Sequence, residues 1–202
     1  MPHVHFIGIG GSGLSAIARL LLESGYTVSG SDRAMTPFAD EIRKAGATVY
    51  IGHHPRNLEG ADWVVRSSAI AEDNPEVKAA KRSGIPVYKR ADLLGELMAE
   101  KSGIAIAGTH GKTTTTAMTA WVLSELGRDP SFIVGSVINN LGVNARAGRG
   151  KSFVIEADEY DNMFLGLKPQ IEVVTSLEHD HPDFFPTFAS MVESFKKFVD
   201  LL

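Results

Sequence analysis

One stretch near the middle of the chain, Gly103–Thr116, most constrains what this sequence can fold into. Its apolar start, Ile104–Ala107, predicts a buried strand, and the residues from Thr113 to Glu125 have the pattern of a helix. A glycine-bounded loop joins the two, which gives the phosphate-binding arrangement of nucleoside triphosphatases. Glycines let backbone N–H groups turn toward a polyphosphate, and the helix N-terminus adds partial positive charge.

The residues of this loop are therefore candidates for binding a nucleoside triphosphate: Gly108, Thr109, His110, Gly111, Lys112, Thr113 and Thr114. The Lys112 ammonium can neutralise the β- and γ-phosphates, and the Thr113 hydroxyl can bind Mg²⁺. The loop is shorter than usual, because Ile106 occupies the place of the first glycine. A chance Gly-Lys pair at a threonine-rich helix N-terminus is the alternative, which the strand before and the helix after it disfavour.

Length and charge limit the remaining possibilities. A chain of 202 residues suffices for one large or two small domains. A formal charge of −4 and a pI of about 6.0 predict no general attraction to nucleic acid or to an anionic membrane. There is no cysteine for disulfides or thiolate metal sites. Since no apolar run has the length of a membrane span and no signal peptide is recognisable, we expect a cytoplasmic protein.

The N-terminus carries a second glycine-rich motif. Val4–Ile7 predicts a strand, which leads through Gly8–Gly13 into a helix from Leu14 to Ser24 and a strand at Tyr26–Gly30. With Asp32 roughly 20 positions after the glycines, this pattern is typical of dinucleotide-binding folds. The candidate diphosphate-binding residues at the helix N-terminus are Gly10, Gly11, Ser12 and Gly13.

Two interpretations of this motif stay open. Asp32 can hydrogen-bond a ribose or a base edge, which fits NAD and equally any other nucleotide diphosphate. The alternative is tight packing of strand against helix with no ligand.

Strands and helices continue to alternate, which predicts parallel, doubly wound sheets of the α/β class. The further predicted helices are Phe38–Lys44, Asn74–Arg82 and Ala91–Glu100, and the further strands are Thr48–Tyr50, Trp63–Val65, Ile85–Tyr88, Phe132–Val134, Phe153–Ile155 and Ile171–Thr175. Gly135–Gly150 is predicted to be a loop, and a final helix without a cap runs from about Phe188 to Leu202. We place a boundary at Lys101–Gly103, between a Rossmann-like domain (1–100) and a P-loop domain (103–202).

Two acidic clusters directly follow strands of the second domain, Glu156–Glu159 and Glu178–His181. Because ligands of open α/β sheets bind at the carboxyl ends of strands, we expect Glu156 and His181 beside the phosphate loop. Phosphoryl transfer needs such groups to hold Mg²⁺ against the phosphates. A solvated acidic loop and ordinary histidines are the alternatives.

Four other charged or titratable residues carry weaker signals. Arg146 and Arg149 could clamp a carboxylate or phosphate, or could equally be solvated. His53 and His54 have no evident partners in the sequence, and we expect them at the surface.

Taken together, these motifs resemble the Mur ligases of peptidoglycan synthesis over essentially the whole chain. The resemblance rests on an ordered set of segments: His5–Ser15, Ser29–Asp32, Ser67–Ile70, Gly108–Thr114, Glu156–Glu159 and Glu178–His181. It implies a Rossmann-like domain followed by a P-loop domain, and an ATP-dependent ligase that joins L-alanine to the lactyl carboxylate of UDP-N-acetylmuramate through an acyl phosphate.

The resemblance also implies roles for particular residues. The UDP part of the substrate would contact Gly10–Gly13, Asp32, Ser67 and Ser68, and the Asn139–Asn144 segment, with Asn144, would lie near the muramoyl group. Gly108–Thr114 would bind ATP. Thr113 and Glu156 would hold one Mg²⁺ and His181 a second, with Lys112 and His181 as the catalytic residues.

One departure from the family pattern is large, because its members have three domains and more than twice this length. We therefore expect a fragment or a truncated gene product that lacks the C-terminal domain and by itself ligates poorly. Three alternatives remain: a related ligase that recycles a muropeptide tripeptide, an NAD-dependent oxidoreductase, and a non-catalytic nucleotide-binding module.

Overall fold

The computed structural model, which describes residues 1–202, contains ten strands and six α-helices. They form two units, Met1–Leu93 and Leu94–Leu202, called here the first and the second unit. The division falls a few residues before the predicted junction at Lys101–Gly103. None of the six α-helices has the length and apolar composition needed to cross a bilayer.

The first unit is built on one parallel sheet. Its strands are β1 (His3–Ile7), β2 (Thr27–Asp32), β3 (Thr48–Ile51), β4 (Trp63–Arg66) and β5 (Val87–Lys89), and its helices are α1 (Ser12–Glu23), α2 (Pro37–Lys44) and α3 (Pro75–Arg82). The strand order is β3-β2-β1-β4-β5, with every neighbouring pair parallel. The order reverses between β1 and β4, and open sheets bind ligands outside the carboxyl ends of strands at such a switch point.

Local sequence explains the helices of this unit. In α1 the positions Leu14, Ile17, Ala18 and Leu21 recur at helical spacing, and all are buried against the sheet. Helix α3 begins where the Asn74 side chain accepts the Glu76 N–H at 2.8 Å and Pro75 occupies the first turn. These starts agree with the predicted ones to within two residues.

The second unit contains a mixed sheet of five strands. Its strands are β6 (Ser102–Ala107), β7 (Ser131–Ile138), β8 (Val143–Arg146), β9 (Ser152–Glu156) and β10 (Ile171–Val174), and its helices are α5 (Lys112–Glu125) and α6 (Phe188–Val199). Helix α4 (Arg90–Ala99) spans the division between the units. The order is β10-β6-β9-β7-β8. Since β6 lies between β9 and β10, the segments after those two strands flank the loop after β6.

The prediction of a loop over Gly135–Gly150 is wrong. Strand β7 continues through this region and pairs with β8 in an antiparallel hairpin, so only four of the five strands are parallel. Gly135 and Ser136 break the apolar pattern where the register shifts between Ile133 and Ile138, as expected at a β-bulge. For this reason the alternation of apolar and polar residues does not indicate the hairpin.

The final helix also differs from its prediction. Helix α6 ends at Val199 and not at Leu202, and its N-terminus is capped. The Thr187 hydroxyl accepts the Ser190 N–H at 3.1 Å, and the Ser190 hydroxyl accepts the Thr187 N–H at 3.3 Å, which is a capping box with serine in the third position.

Candidate functional site

The first glycine loop connects β1 to α1, and Asp32 closes it. The Gly10 N–H donates to Asp32 Oδ2 at 2.8 Å, and the Arg33 N–H donates to Asp32 Oδ1 at 2.7 Å. The carboxylate therefore fixes the loop to the end of β2. Each ionised carboxylate oxygen can accept two hydrogen bonds, so Asp32 can still accept one from a ribose. That contact stays a prediction.

Helix α1 leaves backbone donors at this loop. Its first internal hydrogen bond runs from the Ser15 N–H to the Gly11 carbonyl, so the N–H groups of Ser12, Gly13 and Leu14 have no partner inside the helix. A helix N-terminus with such groups attracts anions. Of the four predicted diphosphate contacts, Ser12 and Gly13 thus offer free backbone donors, whereas the Gly10 N–H is occupied by Asp32 and the Gly11 N–H by the Gly8 carbonyl.

A cation that the sequence did not reveal lies at the same helix terminus. The Arg90 guanidinium packs so closely on Gly13 that a Cβ there would lie 2.8 Å from Arg90 Nη1. A side chain at position 13 would therefore displace the guanidinium from this place. Guanidinium groups recognise phosphate oxygens well, so Arg90 adds a positive charge at the end of α1 where a diphosphate is predicted.

A cavity of about 320 Å³ opens beside the loop at the carboxyl ends of β1, β2 and β4. It is lined by Gly8, Gly10, Gly11, Asp32, Arg33, Thr36, His53, Ser67, Ala69 and Ile70. Of the two serines predicted to contact a nucleoside, Ser67 lines the cavity, whereas Ser68 is exposed and is not part of its wall.

The prediction that His53 lies at the surface is wrong. Its side chain is 13% exposed, and its Nδ1 atom lies 2.9 Å from Ser31 Oγ and 3.2 Å from Glu76 Oε2. Glu76 is completely buried. Burial alone would raise the pKa of Glu76, but contacts with His5, Ser31 and Asn57 outweigh it and lower the pKa to about 2. His54 uses its own Nδ1 to accept the Arg56 N–H at 3.1 Å.

In the second unit, the loop between β6 and α5 is held by residues that follow β10. Gly108 has a φ of 131°, and a Cβ there would lie 3.0 Å from the backbone nitrogen of Ser176, so only glycine fits. The Thr109 N–H donates to the Ser176 carbonyl and the His110 N–H to the Ser176 hydroxyl, each at 3.0 Å. The Thr175 hydroxyl donates to the His110 carbonyl at 2.5 Å.

These bonds narrow the set of predicted triphosphate contacts. Because the N–H groups of Thr109 and His110 are occupied by Ser176, the free backbone donors at the start of α5 are those of the N-cap Gly111 and of Lys112, Thr113 and Thr114 in the first turn. The first internal bond of α5 runs from Thr115 to Gly111. Thr109 contributes to shape, since its hydroxyl donates to the Glu178 carbonyl and accepts the Glu178 N–H, both at 2.9 Å.

Lys112 is directed across the loop toward a buried carboxylate. Its ammonium donates to the Gly108 carbonyl at 2.5 Å and to Glu159 Oε1 at 2.9 Å. Glu159 is completely buried, and its other oxygen, Oε2, has no hydrogen-bond partner. A buried carboxylate oxygen without a hydrogen-bond partner lowers the stability of the fold, so a donor or a cation bound at this oxygen would be stabilising.

Thr113 and Glu156 meet at the start of α5, as the sequence predicted. The Thr113 hydroxyl donates to Glu156 Oε1 at 2.9 Å, and the Gly135 N–H donates to Glu156 Oε2 at 2.7 Å. Hydroxyl and carboxylate oxygens are the ligands that Mg²⁺ prefers, and Mg²⁺ commonly takes only one or two protein oxygens beside phosphates and water. The pair therefore fits this ion. Nowhere in the chain do three or more acidic or histidine side chains form a group that could hold a metal ion by themselves.

His181 lies near Glu159. Its Nε2 atom is 3.7 Å from Glu159 Oε1 and 3.9 Å from Asp180 Oδ2. The ring of Tyr160 packs edge-on against it at 5.1 Å, and the Tyr160 hydroxyl donates to Asp183 at 2.9 Å, which raises the pKa of Tyr160. His181 has a φ of 52°, an uncommon backbone conformation that occurs more often at functional sites.

The remaining predicted residues lie on or after the β7–β8 hairpin. Asn144 is on strand β8 and is partly buried. Arg146 lies over the Phe132 ring at 5.2 Å and donates to the Ser124 hydroxyl at 2.9 Å, so it packs the hairpin against α5. The Arg149 side chain is almost fully exposed, beside Asp129. We therefore assign Arg146 a packing role and regard Arg149 as solvated.

Sequence reasoning missed four groups at these two sites: Arg90, the His53–Glu76 pair, Glu159 and Ser176. Two of them left a signal. His5 is a polar residue inside an apolar strand, which indicates a buried partner, and Glu159 is the fourth residue of the acidic segment Glu156–Glu159. Arg90 and Ser176 left none, because their contacts span long distances in sequence.

The fold and the two loops together define an α/β protein in which two glycine-rich loops each lead from the carboxyl end of a parallel strand into a helix N-terminus. A model of the Mur ligase family catalytic domain matches residues 3–117, and a model of the Mur ligase middle domain matches residues 106–202. The chain belongs to the Mur ligase family, as its motifs predicted.

Curated relatives and solved structures agree with this assignment. UDP-N-acetylmuramate–L-alanine ligases of Carboxydothermus hydrogenoformans and Desulfosudis oleivorans are 52% and 49% identical to the chain over 99% and 98% of its length. The chain spans 43% of the length of each.

Among solved structures, the UDP-N-acetylmuramate:L-alanyl-gamma-D-glutamyl-meso-diaminopimelate ligase from Neisseria meningitides gives a TM-score of 0.91 at 34% identity. The match covers 100% of this chain and 68% of that one. The UDP-N-acetylmuramate-alanine ligase from Thermotoga maritima gives 0.89 at 30% identity, over 99% of this chain and 47% of that one. Both support the α/β architecture with its parallel strands.

Proposed function

We propose that this chain forms the UDP-sugar-binding and ATP-binding parts of a ligase that joins L-alanine to the lactyl carboxylate of UDP-N-acetylmuramate. The first unit takes the role of a Rossmann-like domain for the UDP-sugar, and the second that of a P-loop domain for ATP. The reaction belongs to the synthesis of peptidoglycan precursors. Relatives of 49–52% identity that carry the name of this activity support the proposal.

One observation carries it: a lysine, a hydroxyl and a carboxylate converge at the N-terminus of α5. Lys112 lies beside Thr113, whose hydroxyl is 2.9 Å from Glu156 Oε1. A binding module for a neutral ligand has no need of this set, whereas a triphosphate needs both a cation and oxygen ligands for Mg²⁺. Gly108–Thr114 is the loop we assign to ATP.

The chemistry is two displacements. An oxygen of the lactyl carboxylate attacks the γ-phosphorus of ATP, the bond from that phosphorus to the β–γ bridging oxygen breaks, and ADP leaves. The amine of L-alanine then attacks the acyl carbon, the phosphate leaves with its bridging oxygen, and the nitrogen loses a proton. Phosphoryl transfer depends mainly on positioning and on charge stabilisation.

The protein groups have separate tasks in this proposal. Lys112 binds the β- and γ-phosphates and stabilises charge on the transferred group. Thr113 and Glu156 hold one Mg²⁺, which when bound neutralises phosphate charge, and His181 is assigned to a second. Lys112 and His181 are the proposed catalytic residues.

The first unit supplies the contacts to the UDP-sugar. The diphosphate is assigned to the N-terminus of α1 within Gly10–Gly13, where Ser12 and Gly13 offer the free N–H groups, and Asp32 and Ser67 are assigned to the nucleoside. Asn144 of the second unit is assigned to the muramoyl group. A cytoplasmic location accompanies the proposal, because ATP and nucleotide-activated sugars are cytoplasmic metabolites, and we propose no nucleic acid or membrane partner.

A thermal-shift experiment on the 202-residue chain tests the first unit. UDP-N-acetylmuramate is expected to raise the unfolding temperature, and NADH is expected not to. Protection by NADH alone would assign the unit to an oxidoreductase instead. Ser12→Asp is the matched variant: an acidic residue in the first turn favours the helix but repels a diphosphate, so folding is kept and protection is lost.

A second experiment separates a ligase from a nucleotide-binding module. It measures phosphate release with ATP, Mg²⁺ and UDP-N-acetylmuramate, in a version of the chain extended to the length of its relatives. Release that requires L-alanine supports the proposal. Release that requires a muropeptide tripeptide assigns the chain to the recycling ligase, and ATP binding without release with either amine assigns it to a non-catalytic module.

A further inference from the structure

Beneath the cavity of the first unit lies a buried polar network centred on Glu76. The carboxylate is completely buried and accepts from four groups. Oε1 accepts from Asn57 Nδ2 at 2.7 Å and from the His54 N–H at 3.2 Å. Oε2 accepts the Ser31 hydroxyl proton at 2.5 Å and lies 3.2 Å from His53 Nδ1. An ionised carboxylate has about four acceptor sites and no donor, so all of them are used.

The charge state of Glu76 follows from these contacts. A pKa of about 2 keeps the carboxylate ionised at neutral pH. The Ser31–Glu76 distance of 2.5 Å is typical of a hydroxyl that donates to an anion. Ser31 has therefore given its only proton to Glu76, and its oxygen can act toward His53 only as an acceptor.

These constraints place a proton on Nδ1 of His53. Its Nδ1 atom faces two acceptors, Ser31 Oγ at 2.9 Å and Glu76 Oε2 at 3.2 Å. Two acceptors at one ring nitrogen require a proton on that nitrogen. In the neutral imidazole the other nitrogen, Nε2, then carries a lone pair and no hydrogen.

The cavity is on the accessible side of this ring. His53 lines it together with Gly10, Asp32 and Ser67, and all its hydrogen bonds inside the protein are made through Nδ1. Nε2, on the opposite edge of the ring, is the atom left for a ligand.

We propose that Glu76 is a positioning residue that holds His53 in its Nδ1-protonated tautomer, so that the cavity beside the first glycine loop presents an unprotonated nitrogen to a hydrogen-bond donor of a bound nucleoside. The identity of the ligand as a nucleoside diphosphate rests on the proposed function. The tautomer does not, since it follows from groups inside the first unit. A site built to accept one hydrogen bond rejects analogues that lack the donor, because its own polar atom is left unpaired.

The tautomer can be read directly by nitrogen NMR of the 202-residue chain with labelled histidine. In the unaltered chain near neutral pH, His53 is expected to show a protonated Nδ1 and an unprotonated Nε2. A protonated Nε2 in the free chain overturns the proposal. The signal is assigned by its disappearance in His53→Gln, and this measurement does not depend on any variant of Glu76.

Two variants test the role of Glu76. Glu76→Gln places amide hydrogens beside Ser31 and His53, so one of them has to accept, and the proton of His53 is expected to move to Nε2. Ser31→Ala is the matched control: it leaves the Glu76 carboxylate to accept from Nδ1 directly, and the tautomer is expected to stay. An unchanged tautomer in folded Glu76→Gln, or a changed one in Ser31→Ala, contradicts the proposal.

Binding of UDP completes the test. We expect Glu76→Gln to weaken UDP binding about tenfold, as for one lost hydrogen bond, and to leave ATP–Mg²⁺ binding by the second unit unchanged. UDP analogues methylated at N3 or lacking the 2′- or 3′-hydroxyl identify the donor, and equal affinity for UDP and all three analogues overturns the proposal. If UDP does not bind while the tautomer is as expected, the proposed function of the unit fails and the positioning role of Glu76 stands.

Discussion

Each unit completely buries one glutamate beside its glycine loop, and the two glutamates differ in how fully their oxygens are satisfied. Glu76 in the first unit accepts from four groups, and both of its oxygens are used. Glu159 in the second unit accepts from Lys112 at 2.9 Å, and its Oε2 atom has no partner. Both oxygens of Glu76 therefore have donors without a ligand, although His5 Nε2, 3.7 Å from Glu76 Oε1, has no partner of its own, whereas Glu159 keeps one oxygen unpaired.

This difference fits two kinds of task. A buried carboxylate with both oxygens hydrogen-bonded fixes the shape and the hydrogen-bonding pattern of a cavity, which suits selective binding. A buried carboxylate with one unpaired oxygen beside a lysine is energetically unfavourable, and a bound cation or a shift of Lys112 can relieve this. We infer that the first site is preorganised for recognition and that the second is arranged for chemistry on a charged ligand.

The largest expected effect is on the stability of the first unit. The folded-state pKa of Glu76, about 2, lies below its unfolded value of 4.5, so the stabilisation is present above pH 4.5 and is lost as pH falls toward 2. At pH 7 it is worth about 3 kcal/mol. Glu76→Gln lacks this pH-dependent stabilisation, so the free energies of unfolding of the variant and the parent converge at low pH.

Urea unfolding followed by selectively excited tryptophan fluorescence in a Trp121→Phe background measures this change, because Trp63, in the first unit, is then the only tryptophan. Glu72→Gln is the control, since that carboxylate is largely exposed and pairs with Lys81 and Arg66 at the surface. Parallel pH profiles for Glu76→Gln and its parent would show that Glu76 is not held ionised by its network.

The next effect is on the affinity of the second unit for ATP–Mg²⁺. Lys112→Ala removes the cation of the loop, and we expect about a 50-fold rise in the dissociation constant, as for the loss of a strong charge-assisted hydrogen bond. Calorimetric titration with ATP–Mg²⁺ measures it. Lys151→Ala, at an exposed position of the same unit, serves as the control. Equal affinities for both variants would remove Lys112 from the phosphate site.

A smaller effect is expected for the unsatisfied glutamate. Glu159→Gln loses the ion pair with Lys112 but also removes a buried charge whose second oxygen has no donor, and these two changes oppose each other. The net loss of unfolding free energy is expected to be about 1–2 kcal/mol, less than for Glu76→Gln.

Urea unfolding followed through Trp121 in a Trp63→Phe background measures this value, with Glu178→Gln, an exposed carboxylate near the same loop, as the control. A loss of unfolding free energy larger than that of Glu76→Gln at pH 7 would contradict the contrast between the two units. Hydrogen bonding of the carboxylate oxygens would then not determine how strongly the substitution destabilises the protein.

The contrast between the two glutamates also shows what the sequence could predict. The strands other than β8, the helix starts and both glycine loops were predicted because apolar runs, glycines and Asn-Pro pairs are local signals. Thr113 and Glu156 were placed together correctly, because both follow neighbouring parallel strands of one sheet. The direction of the strands alone brings these two residues to the same edge of the sheet.

The parts that were missed depend on contacts between distant segments. The Glu76 network brings together residues from β2, α3 and the segment after β3, and nothing near His53 in the sequence indicates its partner. Strand β8 was hidden because a register shift interrupts the alternation of β7. Pairing across a sheet and burial of polar groups are set by tertiary packing, which a local pattern does not contain.

The smallest expected effect concerns a third glutamate, which extends the comparison to a carboxylate with no donor. Glu172, on β10, has both oxygens buried without hydrogen-bond partners, and burial, with a further contribution from Asp200, raises its pKa. A folded pKa above the unfolded one means that stability is highest below pH 4.5 and falls as pH rises through the folded value. Glu172→Gln is therefore expected to stabilise the second unit at neutral pH and to make little difference in acid, as measured by urea unfolding at both pH values. Destabilisation at neutral pH would mean that the carboxylate finds a donor in solution, and Glu172 would then belong with Glu76 as a satisfied group.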